Sequence, residues 1–113
     1  MTWGTYTPTV TILSGAATAN PSGTFQYMRV GDVVTISGQV ALTSASGDVQ
    51  LRCTLPIASA LTNDYQVAGS GAVHENGKGV SVIADTVNDA AYFFQRVGSG
   101  TETWTVHLTY RIL

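Results

Sequence analysis

The sequence predicts a single all-β domain, an antiparallel β-sandwich or jelly roll of about eight strands. Nearly every segment alternates apolar and polar residues with a period of two, as a half-buried strand does. Short groups of Gly, Asn, Asp and Ser separate these segments, and no amphipathic helix of normal length is present. The chain has 113 residues, a common size for one domain, so we expect one core within residues 1–113.

The alternation is clearest in the last segment. One predicted face carries bulky apolar side chains: Trp104, Val106, Leu108, Tyr110 and Ile112. The opposite face is polar and consists of Thr103, Thr105, His107, Thr109 and Arg111. The first segment repeats the scheme, with Tyr6, Val10 and Ile12 opposite Thr5, Thr7, Thr9 and Thr11. Pro8 cannot donate a ladder hydrogen bond, which indicates an edge position or an irregular strand start.

Six further strands are predicted near residues 24–30, 33–43, 48–55, 65–75, 79–86 and 90–96. Gly31-Asp32 and Asn76–Gly79 have the composition of tight hairpin turns, and Asn88-Asp89 and Gly98–Gly100 mark later turns. Pro56–Leu61 suits one short helical turn. The alternation predicts the following core: Val10, Ile12, Val34, Ile36, Val40, Leu51, Cys53, Val80, Val82, Phe94, Trp104, Val106 and Leu108.

Charge is scarce in this sequence. Hydrophobic residues make up 44% and charged residues 11%, with a net charge of −2. This balance excludes a disordered chain. Five scattered Lys and Arg residues are too few to neutralise a run of phosphates, so we expect no nucleic-acid partner. The surface must be covered by neutral polar side chains or by neighbouring subunits.

Cys53 is the only cysteine, which excludes an internal disulfide and a cysteine-rich zinc site. It occupies an apolar position of an alternating segment, so we expect a buried core residue. No stretch approaches the ~20 apolar residues of a membrane span. The N-terminus lacks a basic region followed by an apolar one, and we expect synthesis in the cytoplasm.

No spacing of reactive residues predicts catalysis, a cofactor or a metal site. His74 and His107 are placed on polar strand faces, although three symmetry-related histidines could meet at an ion. The segment Asp85–Asp89 offers oxygens for calcium but lacks an EF-hand pattern, so an ordinary turn is favoured. Gly69–Gly71 and Gly98–Gly100 lack the spacing of a nucleophile elbow. Gly77–Gly79 lacks that of a phosphate loop. Glu75, Glu102 and five scattered aspartates show no pairing typical of glycosidases.

Four segments in a fixed order carry a resemblance to a known family. They are Gly4–Val10 (GTYTPTV), Gln26–Gly38 (QYMRVGDVVTISG), Leu55–Ser59 (LPIAS) and Trp104–Ile112 (WTVHLTYRI). This order is similar to that of β-rich domains of tailed bacteriophages and prophages, which often form the terminal module of tail fibres or other virion proteins. The resemblance covers almost the whole chain.

The resemblance implies a non-enzymatic structural role on the phage particle, commonly as a trimer bound to capsid or tail proteins. Such domains usually follow a fibre shaft, whereas this chain starts with the domain at Met1. We therefore expect a capsid-surface decoration module, of the cement or head-fibre type. The alternative is a tail-fibre tip or receptor-binding module that recognises host-surface carbohydrate.

Two sets of residues are candidates for contacts with partners. On the polar face of the last strand, Thr103, Thr105 and Thr109 suit an uncharged subunit contact, and His107 and Arg111 could add directional bonds at its rim. Among the aromatic residues, Trp104 and Tyr92 occupy apolar alternating positions and are expected in the core. Trp3 and Tyr65 remain as candidates for stacking on sugar rings.

Overall fold

A computed structural model describes residues 2–44, 47–75, 77–96 and 100–112. Within them, the all-β prediction is confirmed: there are ten antiparallel strands, and the single helical element is a 3₁₀ turn at Asp64–Gln66. The strands are β1 (Thr2–Tyr6), β2 (Val10–Ser14), β3 (Ala16–Pro21), β4 (Phe25–Val30), β5 (Val33–Ser44), β6 (Val49–Cys53), β7 (Val67–Val73), β8 (Gly79–Asp85), β9 (Ala90–Gln95) and β10 (Thr101–Arg111).

The strands form one curled sheet with the order β1-β4-β5-β10-β7-β8-β9-β6-β2. β5 is the longest strand, and one of its edges pairs along its whole length with β10. Its other edge pairs first with β4 and then with β3. The segment from Val10 to Pro21 therefore joins the β2 end of the path to β5, the third strand from the other end, because β2 pairs with β6 and β3 pairs with β5. This link curls the sheet and encloses its inner face.

Two glycines permit the curl. Gly15 lies between β2 and β3 with a φ of 79°, and a Cβ there would stand 2.0 Å from the carbonyl oxygen of Asp48. Only a residue without a side chain fits this backbone conformation and close approach. Gly38 lies in the middle of β5, where a Cβ would meet the ring of Phe25 at 2.3 Å. The buried phenyl ring thus occupies the space that a side chain at Gly38 would fill.

The core consists of the inward-facing residues of the curled sheet. Trp104, Val106, Leu108 and Tyr110 on β10 are all at most 2% exposed. They pack with the inward residues of the flanking strands: Phe25, Val34, Ile36, Val40, Leu42, Val49, Leu51, Cys53, Val67, Val73, Val80, Val82, Ala84, Ala91 and Phe93. The alternation of β10 and the burial of Cys53 are therefore as predicted.

The strand count is ten rather than about eight because the first twenty residues form three strands. The first predicted segment is interrupted around Pro8, so β1 and β2 are separate strands. Thr54 stabilises this interruption: its backbone N–H donates to the carbonyl oxygen of Thr9 (3.2 Å), and its hydroxyl accepts from the backbone N–H of Thr9 (2.9 Å). β3 was not predicted, since Ala19 is its only buried residue and its small side chains show no apolar alternation.

Two residues, Phe94 and Tyr92, occupy the face opposite to that predicted, whereas Val10 and Ile12 lie on the predicted inner face, opposite Cys53 and Leu51, but are less buried than expected. Phe94 is half-buried on the outer face and Phe93 is fully buried, because Phe93 lies opposite the inward-facing Val82. Tyr92 is likewise half-buried on the outer face. Val10 is half-buried and Ile12 is 39% exposed, since both lie on β2, a terminal strand of the path whose single partner is β6.

The predicted helical turn at Pro56–Leu61 is wrong, and this segment is an irregular loop. Its backbone groups bond to distant side chains. The amides of Ser59 and Leu61 donate to the carboxylate of Asp89 at 2.9 and 3.2 Å, and the Ile57 amide donates to the Tyr110 hydroxyl. The Gly31-Asp32 turn is confirmed as a two-residue hairpin with φ of 59° at Gly31. Asn76, Gly98 and Ser99 of the other predicted turns lie outside the described residues.

Candidate functional site

The outer face of the sheet carries a row of small and polar side chains across eight strands. Residues directly opposite each other on paired strands share a face. Following the register from β1 to β6 gives the row Thr5, Gln26, Ser37, His107, Ser70, Ser81, Phe94 and Gln50. No acidic residue, lysine or arginine belongs to this row, so its central part is a neutral hydroxyl- and amide-bearing surface.

The predicted subunit-contact residues lie on this outer face, at the centre of the sheet. Thr105, His107 and Arg111 are exposed, and Thr103 and Thr109 are half-buried. β10 pairs with β5 on one side and β7 on the other, so its polar face is accessible but its edges are not. A partner would therefore contact these residues by packing on the face of the sheet, not by adding a strand beside β10.

A groove crosses the outer faces of β1, β4 and β5. It consists of two adjoining hollows of about 390 and 300 Å³ that share Gln26 and Ser37. The first hollow begins at Trp3, and its floor and walls include Met28 and Thr35. The remaining lining residues of the two hollows are Gly4, Thr5, Tyr27, Ser22, Thr24, Gly38, Gln39 and Thr105. None of the lining residues carries a formal charge.

A hydrogen-bond network closes the end of the groove at β10. The hydroxyl of Thr105 contacts Nε2 of His74 and accepts from Nε2 of Gln39 at 3.3 Å. The backbone N–H of Thr103 donates to the carboxylate of Glu75 at 2.8 Å, and this bond lowers the pKa of that carboxyl group. The network fixes the rotamers of Gln39 and Thr105, so this end of the groove is preorganised.

The two aromatic residues proposed for sugar stacking are both exposed but lie far apart. Trp3 is 75% exposed on β1, and Tyr65 is 73% exposed in the 3₁₀ turn before β7. Strands β4, β5 and β10 separate β1 from β7. Since neighbouring strands are ~4.8 Å apart, one sugar ring cannot contact both side chains. Trp3 belongs to the groove, and Tyr65 does not line it.

A further hollow of about 520 Å³ lies on the outer faces of β7, β8 and β9. Its lining includes Ser70, Ser81 and Phe94 together with two basic residues, Lys78 and Arg96. It is therefore the positively charged counterpart of the neutral groove on the same face. The sequence analysis did not find either hollow, because residues from several strands line each of them and no local spacing marks them.

A polar pair lies inside the core near one end of β10. Glu102 and Gln95 are 0% and 1% exposed, and Nε2 of Gln95 donates to Oε2 of Glu102 at 3.0 Å. Burial of a carboxyl group is costly unless hydrogen bonds compensate. Glu102 shares the inward face of β10 with Trp104, a placement that the alternation of this strand would have predicted.

The remaining candidates are possible metal ligands, the Asp85–Asp89 segment and Cys53, and their contacts are those of ordinary structural residues. Within the described residues, no group of three His, Cys, Asp or Glu side chains could hold a metal ion. The Asp85–Asp89 segment is a turn, in which Asp85 accepts from the Val87 and Asn88 amides at 3.2 Å and lies 3.6 Å from Arg52. Burial raises the pKa of the Cys53 thiol to about 12, which favours an unreactive thiol at neutral pH.

Comparison with protein-family models, with curated protein sequences and with solved structures gives no match. In the part of the chain that the structure describes, no helix has the length and hydrophobicity needed to cross a membrane.

Proposed function

We propose that this protein is a non-enzymatic structural module of a bacteriophage particle, a capsid-surface decoration module that assembles as a trimer. The observation that carries the proposal is the neutral outer face at the centre of the sheet. Around β10, this face presents exposed small side chains, among them Ser37, Ala41, Ala68, Ser70, Ala72 and Ser81. The resemblance of the sequence to phage virion domains supplies the biological setting.

The chemistry of this face suits contact with another subunit. Burial of a charged side chain carries a large desolvation cost, whereas a hydroxyl that finds a new partner carries little. The central positions of the face carry hydroxyls, methyl groups and the imidazoles of His107 and His74. Where identical chains associate, symmetric closed oligomers are the common arrangement.

The polar residues of the site support a structural role more than a catalytic one. The His74–Thr105 contact resembles a base next to a hydroxyl nucleophile. However, the Thr105 hydroxyl also receives a hydrogen bond from Gln39, and the nearby Glu75 carboxylate is bonded to the Thr103 amide, not to an imidazole nitrogen. These contacts form a positioning network for strands, and we propose no reaction for it.

Light scattering coupled to size exclusion tests the assembly directly. We expect a particle of three times the 11.8 kDa chain mass at micromolar concentration. Ser70→Lys, which places a charge at the centre of the face, should shift the mass to that of a monomer. Thr86→Lys, in the exposed turn after β8, adds the same charge elsewhere and should leave the trimer intact. A monomeric wild-type protein would refute the trimer.

The particle association has its own test. Mass spectrometry of purified virions, induced from a strain that carries the gene, should detect the protein in stoichiometric amounts, and Ser70→Lys should reduce its incorporation. Absence of the protein from such virions would contradict the structural role even if the isolated chain is trimeric.

A further inference from the structure

We propose that the groove on β1, β4 and β5 binds an uncharged oligosaccharide, with one pyranose ring stacked on Trp3 and its neighbours hydrogen-bonded by Gln26 and Ser37. This inference goes beyond the assembly function and does not depend on it. It places a ligand site at one margin of the outer face. The proposed subunit contact is centred on β10 and β7 and shares Ser37 and Thr105 with the lining of the groove.

The exposure of Trp3 is the first observation. An indole ring that is 75% exposed forgoes the large stabilisation that burial of an aromatic side chain provides. Met28 lies directly opposite Trp3 on β4, and Thr35 lies opposite Met28 on β5. The ring thus stands at the open end of a groove, where one of its faces can receive the C–H face of a sugar.

The polar lining is the second observation. Within the described residues, the side chains of Gln26 and Ser37 make no hydrogen bond to the protein, and they lie opposite each other in the register. One amide and one hydroxyl supply both donors and acceptors, which matches vicinal sugar hydroxyls. At the far end, Gln39 and Thr105 are held in place by their own hydrogen bonds, so little side-chain entropy is lost on binding there.

Charge selects the class of ligand. The lining of both hollows is free of Asp, Glu, Lys and Arg, so an anionic or cationic ligand would lose its hydration without receiving a counter-charge. Lys78 and Arg96 lie at the separate hollow on β7–β9. A neutral glycan is therefore favoured over an acidic one.

The length of the groove selects a chain over a single sugar. It runs from β1 across β4 and β5 to Thr105 on β10. Three strand spacings of ~4.8 Å give ~14 Å. This distance exceeds one pyranose ring and accommodates a short oligosaccharide laid across the strands.

The experiment begins with a printed array of neutral and uronic-acid-containing bacterial surface oligosaccharides, probed with protein displayed on beads so that weak contacts add up. We expect binding to neutral chains. The best-binding oligosaccharide is then titrated into the soluble protein while tryptophan emission is followed. The chain has two tryptophans, and the buried Trp104 contributes a constant background while Trp3 reports on the groove.

Trp3→Ala should lower affinity by at least about tenfold and abolish the emission change, and Gln26→Ala should lower affinity about threefold or more. Tyr65→Ala removes an aromatic ring of similar exposure outside the groove and should leave affinity unchanged. Because Trp3 is largely exposed, its substitution should alter stability by no more than about 0.5 kcal/mol, which a thermal melt verifies.

Three results would overturn the site. The first is a wild-type protein that binds no glycan on the array. The second is glycan binding that survives Trp3→Ala, and the third is glycan binding that Tyr65→Ala weakens as much as Trp3→Ala does. A drop in oligomer mass in Trp3→Ala, without glycan binding by the wild type, would show that a second copy of the chain occupies the groove. A monomer that binds neutral glycans through Trp3 would uphold the site and refute the trimer, so the two proposals fail separately.

Discussion

The Tyr110 hydroxyl joins β10 to the irregular loop that follows β6, and its removal should destabilise the fold measurably. Tyr110 is 2% exposed. Its hydroxyl donates to the carbonyl oxygen of Ile57 at 2.6 Å and accepts from the amide of the same residue at 3.3 Å. In Tyr110→Phe the backbone N–H and the carbonyl oxygen of Ile57 both lose their hydrogen bond to the hydroxyl, while the packing of the aromatic ring remains.

The magnitude follows from these two bonds. Each contributes a net ~0.5–1.5 kcal/mol, and a buried group left without a partner costs ~1–3 kcal/mol. Because Ile57 is half-buried, water can partly replace the hydroxyl. We therefore expect a loss of about 2 kcal/mol in the free energy of unfolding. With a urea m-value of ~1–3 kcal/mol/M, the unfolding midpoint should fall by roughly 1 M.

Urea unfolding followed by tryptophan fluorescence measures this loss. Tyr92→Phe is the matched control, because the Tyr92 ring is half-buried and its hydroxyl has no hydrogen-bond partner among the described residues. That variant should change stability by less than about 0.5 kcal/mol. Equal effects of the two substitutions, or a Tyr110→Phe loss below about 0.5 kcal/mol, would refute the role assigned to the loop contact.

Alkaline pH provides a second readout of the same group. Burial raises the pKa of the Tyr110 hydroxyl from an ordinary value of 10.0 to about 12. Since the folded-state pKa is the higher one, the neutral phenol stabilises the fold fully below about pH 10, and this contribution is lost as the pH rises through about 12. The stability difference between wild type and Tyr110→Phe should therefore shrink over this interval. A constant difference would contradict the assignment.

Two further substitutions test the curl of the sheet and its core. Gly15→Ala should lower the free energy of unfolding by at least about 3 kcal/mol, because it combines a positive φ with a Cβ 2.0 Å from the Asp48 carbonyl oxygen. Gly79→Ala is the control: a Cβ at Gly79 has open space around it, so the free energy of unfolding should change by no more than about 0.5 kcal/mol. Trp104→Ala should cost about 3–5 kcal/mol as a large-to-small change in the core. Denaturant midpoints measure all three, and a Trp104→Ala loss no larger than that of Tyr65→Ala would show that Trp104 does not pack in the core.

The sequence alone predicts most of the strands, and it does so where one face is apolar and the other polar. β10 is the clearest example, since its inward residues and its Thr-rich outer face alternate without interruption. The same logic correctly predicts the Gly31-Asp32 hairpin and the burial of Cys53. Two local sequence patterns, period-two alternation and turn composition, are sufficient to predict these elements.

Local pattern fails where tertiary contacts select the face or the end of an element. In β9 the run Ala90–Phe94 is apolar throughout, so only the register with β8 decides that Phe93 faces inward. β3 has small residues and exists because β5 offers it an unpaired edge beyond β4. The loop at Ile57–Leu61 stays irregular because Asp89 and Tyr110 bind its amides.

The candidate sites divide in the same way. The sequence determined that the outer face of β10 is polar and rich in threonine, because this property follows from alternation, and it left Trp3 and Tyr65 as the aromatic candidates for a binding site. Only the tertiary structure decided that β10 is central, that Trp3 joins Gln26 and Ser37 in one groove, and that Tyr65 lies outside it. The physical reason is that a groove across a sheet is built from residues of neighbouring strands, whose order and register depend on non-local pairing and not on the spacing of residues along the chain.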